Sequence, residues 1–186
     1  MQTENLNLLI KSCQSNNAKA QLAIYKLFST AMYNTAFRII GEQTQAEEIM
    51  HDSFLKAFEK IQTIQNHESF AGWLKRIVIN KSINHIKKNK KFQTEELTET
   101  KNTPIYIDEE IDNLFATNAS QSKSQLTKIL QTLQQVKPNY KTILTLYYIE
   151  GFDLQEIEAI LQINNQNCRT MLTRAKQSLK IKMTET

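Results

Sequence analysis

Glycine and proline are scarce in this sequence, three and two among 186 residues, and a chain with so little punctuation is built from long regular segments. Strand signals are nearly absent as well, so the expectation is an all-α protein. Only two cysteines occur, Cys13 and Cys168, far apart and without paired spacing. A disulfide framework is excluded, and both thiols read as reduced packing residues. The three histidines, His51, His67 and His85, form no metal-ligand motif. No paired carboxylates, no nucleophile with a base, no phosphate loop and no metal cluster appear, which argues against an enzyme and calls for no cofactor and no metal. Nowhere do apolar residues continue long enough to span a bilayer, and Met1 to Ile10 carries Glu4 with no basic start followed by an apolar run. A cytoplasmic protein without membrane insertion is expected.

What the chain has instead is a 40% hydrophobic content, enough for cores, with Leu, Ile, Lys, Gln and Glu recurring at helical spacing. Its length fits one ordinary domain or two small ones. From Leu6 to about Lys91 helices follow one another, with breaks at Ser15-Asn16-Asn17, at Gly41 and from Gln62 to Ser69. Thr44 and Glu47 have the spacing of a capping box after Gly41. Between Glu95 and Ser124 the periodicity fades and acids gather around Pro104: Glu95, Glu96, Glu99, Asp108, Glu109, Glu110 and Asp112. This predicts two small helical domains, 1–94 and 124–186, joined by a flexible acidic linker over 95–123.

In the second lobe Leu126, Ile129, Leu130 and Leu133 form an apolar face, and Pro138 restarts the chain. Asp153 and Glu156 make a capping box for a short helix. After a turn at Gln162 to Asn164, a last helix carries Cys168, Met171, Leu172, Ala175 and Leu179 on one face. Two capped helices with a tight turn between them spell helix-turn-helix. On the opposite face stand Gln166, Thr170, Thr173 and Gln177, flanked by Arg169 and Arg174, with Lys176 towards the edge. No acid occurs from Leu161 to Met183. Such a face suits a major groove, where base edges offer donors and acceptors and phosphates attract cations; an ordinary solvated face would look similar. Asn164 or Asn165 can cap this helix and leave its backbone N–H groups for a phosphate.

The formal net charge of +4 and the pI near 9.0 permit a polyanion partner without requiring one; the distribution says more. Lys75, Arg76, Lys81, Lys87, Lys88, Lys90 and Lys91 lie in a stretch with no acid between Ser69 and Thr94. Trp73, Asn80, Asn84 and Lys87 fall in one sector of about 60°, with Arg76 alongside. Cations that follow a backbone, amides that read exposed base edges and an aromatic that stacks suit single-stranded nucleic acid. Trp73 also reads as a core residue among Ile77, Val78, Ile79, Ile83 and Ile86, which makes Asn80 and Asn84 the stronger candidates for contact.

Three segments together resemble the sigma-70 family, in its group IV or extracytoplasmic-function (ECF) branch. Ala46-Glu47-Glu48-Ile49-Met50-His51-Asp52-Ser53-Phe54-Leu55-Lys56-Ala57-Phe58 resembles region 2.2, which docks on the largest subunit of RNA polymerase. Phe70-x-x-Trp73-Leu74-x-x-Ile77-x-x-Asn80 with Ile83-Asn84-His85-Ile86-Lys87-Lys88 resembles regions 2.3 and 2.4, which melt and recognise the minus-ten element. Glu150-Gly151-Phe152-Asp153-x-x-Glu156-Ile157 and Leu172-x-Arg174-Ala175-Lys176 resemble region 4, whose helix-turn-helix reads the minus-thirty-five element.

The resemblance implies a transcription initiation factor that directs core RNA polymerase to promoters, a monomer when free, controlled by an anti-sigma factor. Polymerase contacts would come from Glu48, His51, Asp52 and Lys56, with Phe54 packing beneath. Minus-ten contacts would come from Trp73, Arg76, Asn80, Asn84, Lys87 and Lys88, with a flipped-out base held near Ile64 to Ser69. Minus-thirty-five contacts would come from Asn165, Gln166, Arg169, Thr170, Thr173, Arg174 and Lys176. His51 stands where Gln is usual, Tyr147 where Arg is frequent, Met171 where a polar residue is usual, and Gln162 where the turn has glycine. A left-handed Gln162 would cost on the order of 1 kcal/mol. Rival readings are a one-component DNA-binding regulator and a sigma-like decoy for an anti-sigma factor.

Overall fold

The computed structural model describes residues 2–88 and 123–185, and among them every regular element is helical. The expected linker at 95–123 therefore lies outside the described residues, apart from its last position. The chain divides into two compact units, Met1–Ile86 and Lys87–Thr186.

The first unit contains α1 (Gln2–Gln14), α2 (Ala18–Ile40), α3 (Gln43–Lys60) and all but the last two residues of α4 (Phe70–Lys88), α3 and α4 being joined by short 3-10 turns at Ile61–Thr63 and His67–Ser69. The helix ends follow local chemistry. The Asn17 side chain accepts from the N–H groups of Lys19 and Ala20, satisfying donors that the first turn of α2 leaves open. Gly41 ends α2 at φ 81°, returning its N–H to the Phe37 carbonyl. The cap of α3 differs from the expected Thr44 box: Glu42 holds the N–H groups of Thr44 and Gln45 at 2.8 and 2.7 Å, so the helix starts at Gln43. A glutamate two residues earlier wins because its longer side chain reaches both donors, and its charge opposes the positive end of the helix dipole.

The core of this unit includes Ile10, Cys13, Ile24, Met32, Phe54, Phe70, Leu74 and Val78, all 2% exposed or less. Phe70, the first residue of α4, meets the Phe28 ring at 5.5 Å and the Trp73 ring at 5.9 Å. Burying one such large apolar side chain is worth about 1.5–3 kcal/mol. The turn before α4 is tied to α1 by Gln14, whose Nε2 donates to the Ile61 and Ile64 carbonyls, each at 3.1 Å. Gln62 donates back to the Gln14 carbonyl.

The second unit contains α5 (Lys123–Leu133), α6 (Pro138–Leu144), α7 (Leu154–Leu161) and α8 (Asn165–Thr184). Pro138 occupies the first turn of α6, where its missing N–H costs nothing. The helix then widens into a π segment over Thr145–Ile149, closed by the Glu150 N–H on the Thr145 carbonyl at 2.9 Å. The expected capping box at Asp153 and Glu156 is present in both directions. Gln162 takes the left-handed conformation, φ 60° and ψ 43°, so the turn keeps its geometry without glycine. Asn164, not Asn165, caps α8 through the Asn167 N–H at 2.8 Å. Ile143, Leu144, Leu146, Ile157, Cys168 and Leu179 are fully buried.

Candidate nucleic-acid interface

The α7–turn–α8 unit presents one side of α8 inward. Cys168, Met171, Leu172, Ala175 and Leu179 are all buried there, on one helical stripe. Lys176 is buried with them at 8% exposure, its ammonium 5.6 Å from the centre of the Tyr148 ring. Lys176, named among the expected minus-thirty-five contacts, thus lies towards the inner side of α8. It projects only about 80° from Cys168, so its long stem is covered and its charge rests on an aromatic face. Tyr148, from the π segment, was the residue to look for, and only the fold brings it there.

On the outer side of α8, Gln166, Arg169 and Gln177 are exposed, and Asn165, Thr170, Thr173 and Arg174 are half-buried. The hydroxyls of Thr170 and Thr173 donate to the carbonyls four residues earlier, Gln166 at 2.9 Å and Arg169 at 3.1 Å. Their protons are thus turned to the helix, leaving oxygen lone pairs and methyl groups to the outside. Asn165 is engaged at both ends of its amide: Nδ2 donates to the Glu158 carboxylate at 3.2 Å, and Oδ1 accepts from Arg169 Nε at 2.8 Å. Burial pushes the Cys168 thiol up to about 11, the nearby Glu158 charge adding to the rise and Arg169 opposing it.

In the first unit, α4 buries Phe70, Leu74, Val78, Ile79, Ser82, Ile83 and Ile86. The other side exposes Arg76, Asn80, Asn84 and Lys88, with Lys87 beside Lys88 in the last turn. Asn80 and Asn84, one turn apart, make no side-chain hydrogen bond to another described residue. Trp73 is half-buried against the core, with part of the ring left open. In the preceding segment Asn66 accepts from the Glu68 N–H at 3.0 Å, and its carbonyl accepts from the Ser69 hydroxyl at 2.7 Å.

A third surface lies on α3. Glu48, His51, Asp52 and Lys56 are exposed, and Phe54 is buried at 2% exposure. Asp52 pairs with Lys81 of α4 at 3.1 Å. Lys56 pairs with Glu59 at 2.8 Å, and that hydrogen bond and charge hold the Glu59 carboxyl below its usual range. The His51 ring stacks on Tyr25 at 5.7 Å and 13°. Sequence reading passed over Leu55, which stands 64% exposed on the same helix. The signal was available: Leu55 lies about one turn from His51 and Asp52 and two turns from Glu48 on the same side of the helix, off the buried stripe.

Family models match both units. Sigma-70 region 2 matches residues 24–92, and Sigma-70 region 4 matches residues 126–179, about two thirds of the chain between them. The chain belongs to the sigma-70 family. Among its relatives, the ECF RNA polymerase sigma factor SigW of Bacillus subtilis is 26% identical over 173 residues, 92% of each chain. SigM of the same organism, also an ECF RNA polymerase sigma factor, is 28% identical over 161 residues, covering 84% of this chain and 91% of that one. The fold is similar to that of the sigma factor RpoE from Bartonella quintana, solved with the anti-sigma factor NepR: TM-score 0.56, 16% identity, 87% of this chain and 95% of that one. It is also similar to CnrH, solved with the cytosolic domain of CnrY: TM-score 0.52, 17% identity, 94% of each. The protein is an ECF-type sigma factor, which directs RNA polymerase to promoters and initiates transcription. Among the described residues of this sigma factor, no helix is long and apolar enough to cross a membrane.

Proposed function

We propose that this sigma factor divides promoter recognition between a region 2-like domain over 1–94 and a region 4-like domain over 124–186, with 95–123 as the tether. The α3 face of Glu48, His51, Leu55 and Asp52 binds core RNA polymerase. Opposite charge on the partner would complement the two carboxylates, and an apolar socket would take Leu55. The α4 face captures the melted minus-ten strand: Arg76, Lys87 and Lys88 follow phosphates, while Asn80 and Asn84 read base edges freed by opening. The open edge of Trp73 offers a stacking surface at the same face. In the second domain α8 lies in the major groove of the minus-thirty-five element, with Gln166, Arg169, Thr170 and Thr173 towards the bases and Arg174 towards a phosphate.

The observation that carries this reading is the contrast between two acid-free helices in separate units. One exposes paired amides; the other is the capped second helix of a helix-turn-helix. All covalent chemistry belongs to the polymerase, so this chain is a recruiter and not an enzyme, and it works in the cytoplasm. An anti-sigma factor is the natural regulator, by analogy with RpoE and NepR.

Run-off transcription with core polymerase on promoter fragments tests the reading. Wild-type chain yields specific transcripts, and Glu48→Lys with Asp52→Lys lowers core affinity at least about tenfold while helicity is unchanged. Unchanged affinity in the double variant would remove α3 as the docking face. Tight promoter binding by the free chain, with no dependence on core, would favour a stand-alone regulator.

A further inference from the structure

The polar residues at the start of α8 are not independent. The Glu158 carboxylate on α7 takes a hydrogen bond from Asn165 Nδ2 at 3.2 Å, and Asn165 Oδ1 takes one from Arg169 Nε at 2.8 Å. Glu158 and Asn165 are half-buried and Arg169 is exposed, so the relay runs from the interior of the helix-turn-helix to its surface. Asn165 has no capping duty: Asn164 caps the helix. Its amide can point only one way in this arrangement, because a carboxylate only accepts and a guanidinium only donates.

We propose that Glu158 and Asn165 are positioning residues that aim Arg169 at a guanine, and that Asn165 itself reads no base. This deepens the proposed reading of α8 and rests on it. A guanidinium carries five N–H donors in a rigid plane, and Asn165 occupies the one on Nε. The two terminal nitrogens stay open, side by side and in a fixed direction. That end-on fork matches the O6 and N7 acceptors of guanine in the major groove. A long side chain already held along its length loses less freedom on binding, so its discrimination is sharper. The carboxylate of Glu158 also disfavours a phosphate at this corner, which steers the backbone elsewhere.

The test is holoenzyme binding to promoters varied one base pair at a time in the upstream element, with chemical denaturation of each variant alongside. Arg169→Ala is expected to abolish a guanine preference at one base pair, a loss of roughly 5- to 150-fold for one bidentate pair. Asn165→Ala is expected to flatten preference at the same base pair by at least about threefold, with little change in stability, and to add nothing when Arg169 is already Ala. Glu158→Ala should do likewise, whereas Glu158→Gln, which can still accept from Asn165, should restore most of the preference. If Arg169→Ala flattens the preference but Asn165→Ala leaves it intact, or shifts it at a different base pair, the relay is overturned while the reading of α8 stands. If Arg169→Ala leaves every preference unchanged, the reading of Arg169 as a base contact falls with it.

Discussion

Asn80 and Asn84 on α4 and four polar residues of α8 stand in opposite conditions. On α4 of the first unit, Asn80 and Asn84 stand exposed without a side-chain partner among the described residues. On α8 of the second, Asn165, Arg169, Thr170 and Thr173 are all hydrogen-bonded within the protein. The difference fits the two targets. A duplex presents base edges at fixed places, so side chains held in advance lose little freedom on docking. A melted strand brings bases that can turn to meet their contacts, so free amides suffice and adapt. What the first unit holds rigid is the helix itself, through Phe70 on Phe28 and Trp73 and through Gln14 on the turn before it.

The largest effect should therefore come from removing that platform. Phe70→Ala is expected to destabilise the first unit by about 3–5 kcal/mol in denaturant titrations, since its ring is fully buried. A loss under about 1 kcal/mol would mean that α4 does not depend on this packing.

Next in size is the contrast between two arginines of α8. Arg169→Ala should cost about 1–3 kcal/mol on its preferred promoter and relax selection at one base pair. Arg174→Ala should weaken binding about equally on every promoter and reduce the salt slope by roughly one unit. Measured across salt concentrations, identical behaviour of the two variants would erase the distinction between reader and anchor.

Smaller still is the expected change at the free amides. Asn80→Ala with Asn84→Ala should leave stability within about 0.5 kcal/mol and closed-complex formation nearly intact, while lowering permanganate reactivity of the melted region. Equal losses in closed and open complexes would place these amides on duplex DNA, and the comparison between the units would fail.

The smallest effect concerns a property the units share, a buried thiol whose pKa burial raises. Cys168 moves from 9.0 to about 11, and Cys13 moves in the same direction. The folded state favours the protonated thiol, so this contribution to stability is whole below pH 9 and is lost as pH rises towards 11. Alkylation at pH 8 should be slow in the native protein and fast in denaturant. Rapid native alkylation of Cys168 would show that α8 opens readily from its core.

Much of this molecule is written in local chemistry. Apolar spacing, the glycine at position 41, the proline at 138 and the Asp153–Glu156 box mark helices and their ends, because those preferences depend on neighbours within a turn or two. The same spacing separates the buried stripe of α8 from its polar side, and the family motifs underlie the role proposed for each helix. Local reach also selects Glu42 over Thr44 as the cap of α3, through N–H groups two and three residues on. Tertiary structure decided the rest. Lys176 belongs to Tyr148, a residue 28 positions away in sequence that the fold places beneath it. Trp73 packs because Phe70 and the core behind it supply a surface. Asn165 reaches Arg169 one turn along its own helix, but it meets Glu158 only because the Gln162 turn sets α7 against α8. A sequence shows which side chains are able to donate, accept or pack; which of them meet is settled by contacts between helices that no local pattern encodes.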